Sequence, residues 1–186
     1  MGASPIVRQV YRAHIDRYGE PDRSIVYEDH DPPDGRPARI DIFVWPPSAH
    51  EDVTIFSTIG MAASPMVGAN HRAELHFPIR GRFDAATVGE MSLFLANLAM
   101  YPFLNATFFD WYHRVPRAGL IPLFSSATSV LLHPKFVDTG WDTIEFDDVL
   151  VRILNVVAIT PNEQQMNIFD LMDHWTNSGI DVFAPR

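Results

Sequence analysis

The sequence predicts an α+β fold in which helices pack against a mixed, mostly antiparallel sheet. Short apolar runs over residues 38–79 alternate as strands do, and turns rich in Pro and Gly separate them. Segments that begin near residues 4, 84 and 160 have the caps and apolar spacing of helices. A longer run, residues 149–159, is apolar on both alternating sets. This order of elements is that of an α+β domain.

The first half of the chain is expected to form one helix and a set of strands. The helix begins at Pro5, with Ser4 as its N-cap, and ends at Gly19. Residues 28–37 have the composition of a loop, and strands are predicted over residues 38–44, 53–59 and 72–79. In the last of these, apolar residues alternate with Arg72, Glu74 and His76. This alternation predicts one buried face and one more polar face.

The second half is expected to place its two most apolar elements deep in the fold. A long helix starts after Asp84, its N-cap, and Pro102 is predicted to end it because proline lacks the amide that would continue the helix. Strands are predicted over residues 127–132 and 149–159, the latter at the centre of the sheet. One final helix begins at the capping box of Thr160 and Glu163 and ends at residues 177–179.

Composition limits the possible classes of protein. The 186 residues, 47% of them apolar, fit a single domain over residues 1–186 that needs no cross-link to fold. The absence of Cys excludes disulfides and thiolate chemistry. No apolar stretch reaches the roughly 20 residues of a membrane span, so a cytoplasmic location is expected. No cofactor is expected either, since glycine-rich phosphate-binding patterns are absent.

The most distinctive segment is residues 58–78, TIGMAASPMVGANHRAELHFP, which joins two predicted strands through a loop that contains Gly and Met. It resembles the central signature of the suppressor-of-fused family, in the single-domain form found in bacteria. The matching positions are Thr58, Gly60, Met61, Pro65, Met66, Glu74 and Pro78. The resemblance extends from about residue 39 to about residue 168 and includes the LLHP stretch at residues 131–134.

The resemblance implies an α+β fold and a protein that binds other proteins and catalyses nothing. Animal relatives sequester a transcription factor, and many bacterial relatives resemble immunity proteins that neutralise a cognate toxin. The expected function is therefore non-covalent binding of another protein, with a basic bacterial toxin domain as one candidate partner. The sequence does not set the oligomeric state.

Two surfaces are candidates for binding a partner. The first is the loop over residues 60–70, where Met61, Pro65 and Met66 either contact the partner or pack inward against the core. The second is acidic: nine Asp and Glu against two Arg lie from residue 138 to the end. Such a surface disfavours nucleic acid and attracts basic proteins. Its expected contact residues are Trp141, Asp142, Glu145, Asp147 and Asp148.

Other classes of function were weighed against binding. A small hydrolase or metal-dependent enzyme would use Glu74 and His76, which share one strand face, together with a third residue. No close pair of His has the spacing of a helical metal site, so no metal is expected. A small-molecule binder would use an aromatic pocket built from Trp111, Tyr112 and Phe124.

Overall fold

The computed structural model describes residues 4–48, 52–136, 140–146 and 149–186. Its helices are α1 (Pro5–Tyr18), α2 (Ala85–Leu104), α3 (Pro161–Gln165) and α4 (Ile168–Ser178), and a 3₁₀ turn spans Met61–Ala63. Its strands are β1 (Arg23–Glu28), β2 (Arg39–Trp45), β3 (Val53–Ile59), β4 (Arg72–Arg80), β5 (Arg114–Val115), β6 (Ser129–His133), β7 (Thr143–Phe146) and β8 (Val149–Ile159). No helix in these ranges is long and apolar enough to cross a membrane.

The described strands form one eight-stranded sheet in the order β1-β2-β3-β4-β8-β6-β5, and β7 also pairs with β8. Only the β4 and β8 pairing is parallel among these ladders, so the predicted mixed, mostly antiparallel α+β fold is confirmed. β8 has β4 on one edge and β6 and β7 on the other. Its predicted central position is therefore confirmed.

Helices cover both faces of the sheet. On one face α2 packs over the largest apolar cluster, which includes Leu154 and Val156 of β8. On the other face α1 covers the half near β2 and β3, and α4 covers the half near β6. Val151, Val157 and Ile159 of β8 lie on this second face. The two-sided burial of β8 follows from its apolar residues on both faces.

The helix starts agree with the predicted caps. Ser4 is the N-cap residue of α1, although its hydroxyl makes no described capping bond, and the side chain of Asp84 accepts the amide of Thr87 at 2.9 Å in α2. At α3 the capping box forms as predicted, with Thr160 and Glu163 each accepting a backbone amide of the other. A helix cap depends only on residues that are close together in the sequence, so it can be predicted from the sequence.

Three predicted features were wrong. Pro102 does not end α2, which continues to Leu104 with this proline buried in its last turn, so the proline removes one helical hydrogen bond without ending the helix. The final helix is two helices, α3 and α4, separated at Met166 and Asn167, and Asn167 caps the second of them. The face of β4 that carries Glu74 and His76 is buried, since α1 covers it. β1, β5 and β7 were not predicted.

Candidate functional site

The Glu74 carboxylate organises the turn after β3. The Thr58 hydroxyl donates to Oε2 of Glu74 at 2.6 Å, and the amides of Gly60 and Ala62 donate to Oε1 at 2.9 and 3.0 Å. The Met61 amide donates to Oε2 at 3.2 Å. Glu74 thus satisfies the free amides at the start of the 3₁₀ turn, as a capping carboxylate does.

Gly60 is needed for this turn on steric grounds. Its φ is 123°, in the region that favours glycine, and a Cβ there would lie 2.5 Å from the carbonyl oxygen of Arg39. Thr58 also accepts the amide of Leu75 at 2.8 Å, which ties the end of β3 to β4. The Thr-x-Gly-Met signature and its distant Glu are therefore parts of one buried hydrogen-bonded turn.

The environment of Glu74 leaves it no free acceptor for chemistry. Its side chain is fully buried, and burial raises its pKa to about 7, while the hydrogen bonds from Thr58 and the three amides act in the opposite direction. Each carboxylate oxygen already accepts two donors. Glu74 is thus a structural anchor in this fold.

His76 lies on the same face as Glu74 but has different partners. Its Nε2 is 3.3 Å from the Tyr18 hydroxyl, and its ring stacks on that of Tyr18 and meets the edge of Trp141. Burial, with the like charges of His14 and Arg17, lowers its pKa to about 3. The residues that the structure describes contain no group of three His, Asp or Glu that could hold a metal ion.

A Ser–His pair, which the sequence analysis missed, lies under α1. His14 Nε2 is 2.7 Å from Ser57 Oγ, and its Nδ1 is 2.8 Å from the carbonyl oxygen of Val10. Because a carbonyl only accepts, Nδ1 carries the proton and Nε2 accepts from Ser57. Burial lowers the pKa of His14 to about 4, so the ring is neutral at pH 7. A separation of 43 residues along the chain hides this pair from any local pattern.

This pair has the residue types of a hydrolase but not the access that one needs. Ser57 and His14 are both fully buried, and neither lines one of the two described cavities. A nucleophile must meet its substrate within hydrogen-bonding reach. The pair instead joins α1 to β3.

A row of buried polar residues continues from this pair across the sheet. Ser57 of β3 is opposite His76 of β4, which is opposite Asn155 of β8, which is opposite His133 of β6. The Asn155 amide donates to the carbonyl oxygens of Pro134 and Trp141. The row thereby fixes the segment that leads to β7.

The loop over residues 60–70 places its methionines inside. Met61 and Met66 are 1% and 3% exposed, and the Met66 sulfur accepts the Phe109 amide at 3.4 Å. These two side chains therefore pack inward in this fold, which is one of the two alternatives that the sequence left open. Pro65 is exposed, as is Val67, so the tip of the loop remains a surface.

The second candidate surface lies along β7. Trp141 is partly buried, since its ring contacts those of His14 and Tyr18 at 4.6 and 5.9 Å, and its indole N–H donates to the Thr143 carbonyl oxygen. Asp142 is partly exposed. Glu145 is exposed within β7 itself, a strand that was not predicted. Asp147 and Asp148 lie outside the described residues.

The acids near the C-terminus do not form one surface. Glu163 is buried against Arg186 and Trp175, and Asp181 pairs with Arg80. Asp170 and Asp173 are exposed on α4, which packs at the other half of the sheet from β7. The charge count along the sequence therefore overstates the acidic surface at β7.

The aromatic pocket of the small-molecule alternative is not found among the described residues. Phe124 is buried and stacks on Phe77, Trp111 lies under the Arg152 guanidinium at 4.5 Å, and Tyr112 is half exposed. None of these residues lines a described cavity. The surface residues of the loop and of β7 remain the candidate site, and both elements adjoin α1.

Comparisons with known proteins agree with this fold. A family profile, Suppressor of fused protein (SUFU), matches residues 36–186. Among curated proteins no match was found. A SUFU homologue from Neisseria gonorrhoeae superposes with a TM-score of 0.65 at 15% identity, over 98% of this chain and 96% of that one.

Two further solved structures are similar. The Sufu–Fu complex gives a TM-score of 0.61 at 11% identity, over 96% of this chain and 86% of that one. Drosophila Suppressor of Fused gives 0.61 at 11% identity and 96% coverage of this chain, which spans 48% of the Drosophila protein. At these identities the likeness concerns the fold.

Proposed function

Because the chain belongs to the suppressor of fused family, we propose that it is a non-catalytic domain whose function is to bind another protein. The observation that carries this proposal is the burial of every side chain with catalytic potential that the sequence singled out. The Glu74 carboxylate is occupied by hydrogen bonds from the turn after β3, and His76 lies beneath α1 with no described cavity beside it. Binding at the surface does not require either residue to be reached.

The partner contacts are assigned to the surface beside α1. Its described residues are Pro65 at the loop tip, Trp141, Asp142 and Glu145. Asp147 and Asp148, outside the described residues, are assigned to the contact from the sequence alone. The fold supports this choice, because the buried residues beneath fix both elements. Glu74 holds the turn from which the loop leaves β3, and Asn155 holds the backbone at Trp141. A binding surface on a rigid support loses less entropy on association.

The charge of this surface indicates a basic partner. Asp142 and Glu145 are accessible, neither takes part in a described ion pair, and the whole chain carries a formal charge of −9. An acidic surface speeds encounter with a basic one. We assign the partner to the class of basic toxin domains, with this chain as the immunity protein that covers the phosphate-binding surface of the toxin.

Co-expression tests this function. The product of the gene adjacent to the one for this chain is expressed alone and together with the chain, and growth of the host is followed. Toxicity that the chain relieves supports immunity. If the adjacent product is harmless but still binds the purified chain, the protein-binding function stands and the toxin assignment is wrong. If the adjacent product is neither toxic nor bound by the chain, the proposal is contradicted.

A further inference from the structure

The two edges of the sheet are built differently. One edge is β5, which has only two residues and is followed by Pro116. The other edge is β1, six residues in unbroken register with β2, without Pro or Gly and with no described strand on its outer side. Proteins usually blunt a long open edge with charged side chains, Pro or a bulge. In β1 the charged residues stand only at the two ends, Arg23 and Glu28, and the four residues between them include no charge and no Pro.

The register with β2 shows which backbone groups of β1 are open. The amide of Asp29 donates to the carbonyl oxygen of Ala38, its opposite residue, at 2.8 Å. Because hydrogen-bonded pairs alternate along an antiparallel ladder, Arg23, Ile25 and Tyr27 also bond to β2. The amides and carbonyls of Ser24, Val26 and Glu28 therefore point away from the sheet. The Val26 side chain between them is 46% exposed.

Two cavities lie beside the two ends of β1 and differ in charge. One, of about 250 Å³, is lined by Asp22, Arg23 and Arg82 beside the start of β1, so its bases exceed its acids by one. The other, of about 180 Å³, is lined by Tyr27, Glu28 and Asp29 beside its end. Arg23 has a described ion pair only with its neighbour Asp22, at 3.5 Å, and that pair is exposed and weak. The edge thus has a basic end and an acidic end.

We propose that β1 is a self-association edge, on which a second copy of this chain pairs its own β1 antiparallel about a two-fold axis. The axis passes between the two copies of Val26, so that Arg23 of each copy is opposite Asp29 of the other. Ile25 is then opposite Tyr27, and the open backbone groups of Ser24, Val26 and Glu28 all find partners. The sheets of the two copies become continuous.

Charge and the length of β1 select this register over its two neighbours. A two-fold axis perpendicular to the sheet keeps each face continuous, so the register can shift only in steps that leave every side chain on its own face. The register centred on Ile25 would place Asp22 opposite Glu28, and like charges directly opposite each other destabilise a pair. The register centred on Tyr27 would pair only residues 26–28 of β1 with one another. Centring on Val26 puts opposite charges at both ends. A second copy is favoured over an unrelated strand because this complementarity is built into one seven-residue segment, residues 23–29.

Two charge-reversal variants test the proposal directly. Arg23→Asp places a carboxylate opposite Asp29 of the second copy, and Asp29→Arg places a guanidinium opposite Arg23. The dimer of each variant alone is expected to have a dissociation constant at least about tenfold higher than that of the wild type, because it contains two like-charged pairs. An equimolar mixture of the two variants restores both opposite-charge pairs. The mixture is therefore expected to form a heterodimer at wild-type strength, as read by sedimentation over a concentration series.

A backbone variant provides an independent arm. Val26→Pro removes an outward amide and leaves the β1 to β2 bonds in place, since edge strands accept Pro where the amide faces out. It is expected to be monomeric, whereas Val26→Thr, which keeps the amide and the β-branch, stays dimeric. The proposal is overturned if the wild type remains monomeric at about 100 μM or if Val26→Pro still forms a dimer. It is also overturned if a mixture of the two charge-reversal variants forms no heterodimer.

Discussion

At the scale of single residues, buried polar groups hold the loop and β7 surfaces in place. Glu74 joins β4 to the turn after β3 by four described hydrogen bonds, and Asn155 joins β8 to the carbonyl of Trp141. A buried group of this kind costs free energy when its partners are lost. Stability measurements can therefore report on each anchor.

We expect Glu74→Gln to lower the free energy of unfolding by about 2 to 4 kcal/mol, because a carboxamide turns one acceptor into a donor that faces the amides of the turn. Urea unfolding measures this loss. Glu90→Gln, at an exposed position on α2, is the matched control and should change stability by less than about 0.5 kcal/mol. Equal losses for both variants would contradict the anchoring role of Glu74.

A pH dependence follows from the buried histidines. Burial lowers the pKa of His14 to about 4, of His76 to about 3 and of His133 to about 4, whereas the unfolded chain titrates near 6.5. Well above pH 6.5 the rings are neutral in both the folded and the unfolded chain, so their titration no longer changes stability. As the pH falls from 6.5 towards 4, the unfolded chain binds protons that the fold excludes, so stability is lost.

Glu74, with its pKa raised to about 7, acts in the opposite direction, since the fold binds its proton first. One carboxyl group then opposes these three imidazoles and that of His71, whose pKa burial also lowers. The free energy of unfolding is expected to fall by at least about 1 kcal/mol per pH unit between pH 6 and 5. Urea unfolding at these pH values measures it, and a stability that is flat or rises on acidification would count against the burial of these rings.

At the scale of elements, the sequence predicts what depends on near neighbours. The bounds of β3 and β8 and the caps of α2 and α3 agree with prediction, because alternation and capping are local. The buried face of β4 was missed, because Glu74 and His76 have the alternation of a solvent-facing strand and nothing local shows that α1 covers them. The β1 strand was missed for a similar reason, since Ile25, Val26 and Tyr27 form a run too short to be distinctive.

The candidate site was predicted only in part. Asp142 and Glu145 are accessible as expected, but Met61 and Met66 are buried, since a thioether in a loop gives no sign of its direction. The His14 and Ser57 pair could not be predicted, because only the tertiary fold brings α1 to β3.

Glu163 joins α3, α4 and the C-terminal residue. Its carboxylate accepts the Thr160 amide at 2.7 Å, the Trp175 indole N–H at 2.6 Å and the Arg186 guanidinium at 2.7 Å. Although burial raises the pKa of Glu163, these bonds hold it below its ordinary value. The carboxylate therefore stabilises the packing of α4 on the sheet.

Glu163→Gln is expected to cost about 1 to 3 kcal/mol, because it removes the charge paired with Arg186 and one acceptor. In this variant, amide hydrogen exchange should accelerate more in α3 and α4 than in β3 and β4, because the hydrogen bonds that are lost belong to those helices. Asp173→Asn, exposed on α4, provides the control. Unchanged exchange in both helices would show that Glu163 does not hold them.

At the scale of the whole molecule, the two proposed interaction surfaces lie on different parts of the fold. The loop tip and β7 adjoin α1, whereas β1 forms the far edge beside α2. Partner binding at the former and self-association at the latter therefore use different parts of the fold. A dimer paired through β1 leaves the β7 surface of each copy free.

The central claim, that a basic protein partner binds at β7, is tested most directly by association kinetics with the product of the adjacent gene at low and high salt. The double variant Asp142→Asn/Glu145→Gln is compared with a control double variant, Glu90→Gln/Asp173→Asn. The control removes the same number of negative charges from exposed sites on α2 and α4. We predict an association rate several-fold lower for the β7 variant alone and a wild-type rate that falls with salt. Equal rates for the wild type and both variants, unchanged by salt, would contradict the claim.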